Sequence, residues 1–359
     1  MDVLPKYVNL LLLEAEQRAE KVQEEIDTVY FGGGTPSLIP PEQLRCLARG
    51  IRSIFPTALT LEWTAEANPG TLTPSWLETA RAEGINRVSL GIQAFQDRLL
   101  RVLGRIHTAS EADTSFWMVR NAGFDNISLD LMFGLPGQIN ADWKETLSHA
   151  LSLAPTHLSA YGLIPEEGTP MKADLDAGRL SLPDPDMERQ MYDTLKNKTG
   201  EAGFVQYEIS NFSLPGYECR HNMGYWRQVP YLGLGVSAAS MTGLRLGADG
   251  LRYTRETNPR SLADYARLIQ DGEIALREKE SVSPAEARFE TMMLGLRMTE
   301  GVSEKRFHAL HGVSLDACYG EKLRAFQARG LLEHANERWF LTARGMDIQN
   351  AILVDLMED

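Results

Sequence analysis

The sequence predicts an α/β fold: a partial barrel of the (β/α)6 type, followed by a mostly helical, winged-helix-like C-terminal region. Three observations carry that expectation. Short apolar or β-branched runs alternate with helical stretches roughly every thirty residues, the rhythm of repeated βαβ units. Each run ends in glycine or polar residues, so these residues gather at one sheet edge, where a βα-barrel binds its ligands. At least five consecutive runs contribute, whereas a doubly wound sheet concentrates such residues at one switch point.

The elements follow in order. Residues 5 to 26 place Val8, Leu11, Ala15, Ala19, Val22 and Ile26 three or four positions apart, which predicts an amphipathic helix. Five strands follow: VYFGGG, LEWTAEANPG, RVSLGIQAF, ISLDLMFGLPG and HLSAYGLIPEEGT. Between them lie the helical stretches PPEQLRCLARGI, TPSWLETARAEG, SEADTSFWMVRNAGF and NADWKETLSHALSLA, several opening on Thr-Pro, Ser or Asn. LPDPDMERQMYDTLKNKTGEAGF reads as a loop and a helix, and FVQYEISNFS as one strand. From Ser283 three helical segments precede GLLEHANERWFLT, which reads as a short hairpin. The expected division is 1–240 for the barrel, 241–282 for a connecting region and 283–359 for the helical domain, with a packing or lid role for the last.

Composition narrows the function. The chain has 359 residues and a net charge of −13, which argues against nucleic acid or anionic lipid as its main partner. The three cysteines, Cys46, Cys219 and Cys318, are far apart and odd in number, which fits a reducing cytoplasm and excludes a disulfide scaffold. No apolar run has the length of a signal h-region or a membrane span.

The candidate site residues lie at the strand ends. Gly32, Gly33 and Gly34 leave backbone groups open to a ligand, or serve a tight βα turn. Glu66 could meet an ammonium or ribose hydroxyls, or simply favour a helix N-terminus. Gln93 could satisfy loop backbone, and Arg105 could be a surface charge. Asp130 sits within an apolar strand and needs a partner there. Four polar groups on one edge weigh more than any one of them. A second cluster, CRHNMGYW, places His221 where it could ligate iron and Tyr225 and Trp226 where they could stack on a flat macrocycle. A hydrogen-bonded histidine beside a core aromatic pair remains open.

Together YFGGGTPS, EANPGTL, SLGIQAF, LGRIHT, NISLDLMFGLPGQ and HNMGYW resemble the radical S-adenosylmethionine (SAM) proteins of the oxygen-independent coproporphyrinogen III oxidase family. The likeness covers essentially the whole chain, and HNxxYW is typical of the HemW-type haem chaperone branch. The resemblance implies that Gly33, Gly34 and Thr35 receive the methionine amino group of SAM, and that Glu66, Gln93, Arg105 and Asp130 contact it. It places Ile164 and Ala239 on the adenine side and associates His221 with haem. The family's 4Fe-4S cluster sits on a Cys-x-x-x-Cys-x-x-Cys loop after a first barrel strand. Neither that strand nor that loop is in this sequence, so the expectations are a barrel lacking its first strand and no radical chemistry from this polypeptide alone; a start upstream of Met1 or a truncated gene is preferred over a natural cluster-free relative.

The functional expectation is therefore a cytoplasmic haem chaperone that binds haem and SAM and delivers haem to respiratory membrane proteins, with homodimerisation left open. Whether it is also an enzyme is left open. The rival is a coproporphyrinogen III oxidase acting by radical SAM chemistry in a complete form. An unrelated barrel using the glycine loop for phosphate would be separated from both by which ligand, SAM or a phosphate ester, raises the thermal midpoint.

Overall fold

The first five strand segments and the four helical stretches between them fold as read. The computed structural model describes residues 3–22, 24–247 and 250–357. In chain order they begin α1 (Val3–Arg18), β1 (Ile26–Phe31), α2 (Pro41–Ile54), β2 (Thr57–Ala67), α3 (Pro74–Ala82) and β3 (Arg87–Gln93). Then come α4 (Asp97–Val102), α5 (Ala109–Asn121), β4 (Asn126–Phe133), α6 (Asn140–Ser152) and β5 (His157–Gly162). Strands β1 to β5 pair in sequence order, all parallel. Threonine side chains cap α3 and α5: Thr73 accepts from Trp76 N–H and Thr108 from Glu111 N–H.

After α7 (Pro170–Asp176) and α8 (Pro185–Glu201), the sheet ends in β6 (Val205–Glu208) and β7 (Asn211–Ser213). The stretch expected as one strand is thus two. The buried Glu208 carboxylate accepts the Ser210 N–H at 2.9 Å and the Asn211 side-chain amide at 2.5 Å, which stabilises a turn between them. Strand β7 pairs antiparallel with both β5 and β6, giving the order β1-β2-β3-β4-β5-β7-β6. The sheet curls into a half-barrel.

Strict alternation along each strand decides what faces where. Trp63, Val88, Leu90, Ile127, Leu129 and Leu158 face outward and are wholly buried in the main core. The alternate positions are polar and line the concave interior: Thr28, Tyr30, Glu62, Thr64, Arg87, Ser89, Ser128, Asp130, His157 and Ser159. Parallel strands buried on both faces usually read as continuous apolar runs, so a polar concave face marks this interior as a place for ligands.

The helix read over residues 5 to 26 is shorter: α1 ends at Arg18, a 3-10 turn covers Ala19–Lys21, and Ile26 opens β1. Its buried face is also partly ionic. Glu14 and Arg18 are buried and pair at 3.4 Å; Arg18 also reaches Glu256 at 2.6 Å, and Glu14 accepts from Arg277 at 2.9 Å. Ala19, Val22 and Ile26 continue the apolar spacing and pack on the main core beyond the end of the helix, so the pattern placed the boundary too late.

Beyond the barrel, α9 (Arg220–Trp226) packs against β1. Then β8 (Ala239–Gly247), β9 (Gly250–Thr257), α10 (Leu262–Gln270) and β10 (Glu278–Val282) follow. Those three strands form an antiparallel sheet with β9 central. The remainder is α11 (Pro284–Gly295), β11 (Val302–Ser303), α12 (Glu304–His311), α13 (Leu315–Ala328), the hairpin β12 (Leu332–Ala335) and β13 (Arg338–Leu341), α14 (Ala343–Asp347) and α15 (Gln349–Leu356). The three expected helices, with a small antiparallel sheet and two further short helices after it, form the winged-helix-like region. No helix among the described residues is long and apolar enough to cross a membrane.

Candidate functional site

Strands β2 to β4 and the loops after β1 and β3 bring six of the candidate residues to one cavity. Gly34, Thr35, Glu66, Gln93, Arg105 and Asp130 all line it, together with Asn68. The glycine loop has distinct demands at each position. Gly33 has φ of +76°, which favours glycine. A Cβ on Gly32 would lie 2.6 Å from the Tyr30 ring and 2.8 Å from Glu66 Oε1, whereas one on Gly34 would meet nothing within 4 Å. Gly32 is therefore the position fixed by packing, and Gly34 is bare toward the cavity.

Hydrogen bonds hold the polar groups in place. The Tyr30 hydroxyl donates to Glu66 at 2.8 Å. Asn68 donates to Thr35 Oγ1 at 3.2 Å and accepts from Arg105 at 3.5 Å, linking two loops. Gln93 is buried with φ of +68°, an uncommon conformation for a non-glycine residue and one that costs on the order of 1–3 kcal/mol. Its Oε1 accepts from the Tyr161 hydroxyl at 3.4 Å. Asp130 accepts from Ser89 Oγ at 3.0 Å. Burial raises the Asp130 carboxyl to about 6, against the opposing hydrogen bond from Ser89 and the charge of Arg87.

Ile164 and Ala239 do not join this group. Ile164 is 81 % exposed on the loop after β5, and Ala239 is exposed at the start of β8. Neither lines the barrel cavity.

His221 sits where α9 meets the open side of the barrel. Its Nδ1 bonds Thr28 Oγ1 at 2.9 Å and its Nε2 bonds the Tyr225 hydroxyl at 2.9 Å. The ring stacks on Tyr30 at 5.0 Å between centroids, and burial lowers its pKa, so the imidazole is neutral near pH 7. Neutral imidazole is the form that ligates a metal, and Nε2 becomes available if Tyr225 releases it. Tyr225 is part-exposed, but Trp226 is covered by the Arg297 guanidinium at 4.4 Å. That contact occupies one face of the half-buried Trp226 ring.

The strand readings missed a deeper layer of the interior. Glu62 accepts the backbone N–H groups of Arg220 and His221, each at 3.0 Å, fixing the start of α9. His157 is wholly buried between Ser128 at 2.8 Å and Tyr207 at 2.8 Å, and burial holds it neutral. Arg87 lies buried beneath the cavity. The signal was in the sequence: every second residue of RVSLGIQ and ISLDL is polar or glycine.

The cavity suits SAM, which carries an ammonium, a carboxylate and ribose hydroxyls: bare glycine backbone, one arginine and two carboxylates stand within one lining. The described residues do not suit an iron–sulfur cluster. Cys46 is exposed on α2, Cys219 is buried at the start of α9, and Cys318 lies on α13. No group of three or more His, Cys, Asp or Glu able to hold a metal occurs among the described residues.

The known proteins agree with this architecture. Residues 3–150 match the radical SAM superfamily, and residues 282–348 match the HemN C-terminal domain. The chain is 37 % identical to "Heme chaperone HemW" of Bacillus subtilis, over 97 % of this chain and 90 % of that one. It is 32 % identical to "Heme chaperone HemW" of Escherichia coli, over 97 % and 88 %. The solved structure of coproporphyrinogen III oxidase (HemN) from Escherichia coli superposes with a TM-score of 0.80 at 21 % identity, covering 98 % of this chain and 82 % of that one. That superposition shows a shared fold. Near-complete mutual coverage at these identities shows that the chain belongs to the HemW family of radical SAM proteins.

Proposed function

We propose that the protein is a haem-binding chaperone that holds SAM in the cavity at the C-terminal ends of its barrel strands. The observation that carries the SAM half is the gathering of Gly34, Thr35, Glu66, Gln93, Arg105 and Asp130 around one cavity from four separate loops and strands. Arg105 is the one cation of that lining, so it takes the carboxylate, with Asn68 orienting it. The carbonyls of Gly33 and Gly34, with Thr35 and Glu66, receive the ammonium. Gln93 and Asp130 offer acceptors to ribose hydroxyls. Ile164 and Ala239 are assigned to the adenine side on the family resemblance alone. In this family SAM works with a 4Fe-4S cluster as an electron acceptor; the cysteines of this chain provide no site for that cluster, and binding is the role proposed here.

The haem half is supported by the family relatives, which carry the name heme chaperone, and by His221, a neutral imidazole beside a part-exposed tyrosine. Delivery of that haem to respiratory membrane proteins in the cytoplasm is the role proposed with it. The HemN likeness is one of fold and does not favour the oxidase reading. Calorimetric titration with SAM tests the cavity assignment. Arg105→Met and Glu66→Gln should each weaken SAM binding about tenfold or more, the loss expected for a charge-assisted contact. Unchanged affinity in both variants would place SAM elsewhere.

A further inference from the structure

The barrel cavity has an inner lobe of about 260 Å³ that the SAM assignment leaves largely unused. It shares Glu66, Ser89, Asp130 and Tyr161 with the outer lobe but adds Tyr30, Arg87, Asn211 and Asn222. Arg87 is only 2 % exposed, and its Nε is buried without a hydrogen-bond partner. No carboxylate forms an ion pair with it among the described residues. A guanidinium stays charged and presents five donors in a planar fork, so burying one without an acceptor is unfavourable.

Among the described residues, none of the surrounding acceptors hydrogen-bonds the Arg87 guanidinium. Glu62 acts on Arg87 through space, but its oxygens already accept from the Arg220 and His221 N–H groups and the Cys219 thiol. Tyr30, Tyr207 and Cys219 are held protonated, chiefly by burial. Asp130 and Glu66 share the lobe, and Asp130 feels the Arg87 charge, but they accept from Ser89 and Tyr30 rather than from Arg87. The remaining direction is the lobe itself.

We propose that the inner lobe binds a carboxylate group, received by the Arg87 guanidinium with the Asn222 amide at its side. The planar fork matches the two oxygens of a carboxylate. The lobe admits a small acid or one carboxylate arm of a larger ligand, not a macrocycle. This carboxylate is distinct from the one assigned to Arg105, and the inference stands without the haem reading.

The test titrates the full chain, with SAM saturating, with propionate, propionamide and chloride at matched ionic strength, following the thermal midpoint. Propionate should stabilise saturably and the other two should not. Arg87→Gln should weaken propionate binding about tenfold or more, and Arg87→Lys should recover part of it. Asn222→Leu, which narrows the lobe and keeps the buried charge, should also weaken it. Equal responses to propionate and chloride in the wild-type chain, or a folded Arg87→Gln that binds propionate normally, would overturn the proposal. A second arm compares haem with its dimethyl ester. Parallel losses on esterification and on Arg87→Gln identify a haem propionate as the occupant. Haem affinity indifferent to Arg87, with propionate binding intact, identifies a free acid. No haem binding at all, with propionate still bound at Arg87, removes the haem reading and leaves this one standing.

Discussion

At the scale of single residues, burial is what distinguishes the site from ordinary loop chemistry. Asp130 could be picked from the sequence because a carboxylate in an apolar strand needs a partner, and the structure supplies Ser89. Its partner was not legible, because Ser89 reads as an ordinary strand residue until the register of β3 and β4 sets the two side chains on one face. Burial raises Asp130 to about 6 from an unfolded value of 3.8, so the folded state favours the protonated form. The stability this contributes is full below the unfolded value and is lost as pH rises through the folded one. Asp130→Asn should therefore stabilise the ligand-free protein at pH 7 by on the order of 2–3 kcal/mol. It should flatten the rise in denaturant midpoint that the wild type shows between pH 7 and pH 4. Equal pH slopes in the two proteins would show that Asp130 is not the group responsible.

At the scale of elements, the order of the strand-end motifs revealed which edge carries the site, because glycine and polar residues recur at the same point of each βα unit. What it did not reveal is the division of labour within one loop. Gly33 and Gly34 were singled out by resemblance, yet the tightest packing falls on Gly32, wedged against Tyr30 and Glu66. Gly32→Ala must push Glu66 or Tyr30 aside and should weaken SAM binding about tenfold or more. Gly34→Ala places its methyl group in the cavity without a protein clash, so its effect measures how closely the ligand approaches the backbone. If Gly32→Ala bound SAM with wild-type affinity in calorimetry, the loop would not hold Glu66 in its binding position. The ionic burial on α1 was hidden for the same kind of reason: Glu14 and Arg18 are buried through partners more than two hundred positions away, which no local pattern can show.

At the scale of the whole molecule, buried ionic contacts tie the barrel to the rest of the chain. Glu14 accepts from Arg277, the Asn258 amide and the Tyr265 hydroxyl, fastening α1 to α10 and to the segments flanking it. Glu208 accepts from Arg297 at 2.9 Å, fastening the β6 end of the sheet to the segment after α11. Arg297 in turn covers Trp226, so the His221 segment is held between barrel and C-terminal region. Glu14→Gln would leave Arg18 and Arg277 undercompensated and should cost about 3 kcal/mol or more in urea unfolding. A loss under 1 kcal/mol would mean that the network tolerates rearrangement.

If the protein carries haem, His221 is the imidazole placed to ligate its iron. The most direct measurement is an absorption titration of the full chain with haem, comparing wild type, His221→Ala and Tyr225→Phe, with folding midpoints checked. If His221 ligates the iron, the wild type should show a saturable Soret shift. His221→Ala should weaken it about tenfold or more, and Tyr225→Phe, which frees Nε2, should strengthen it. A Soret shift of wild-type affinity in a folded His221→Ala would contradict the account.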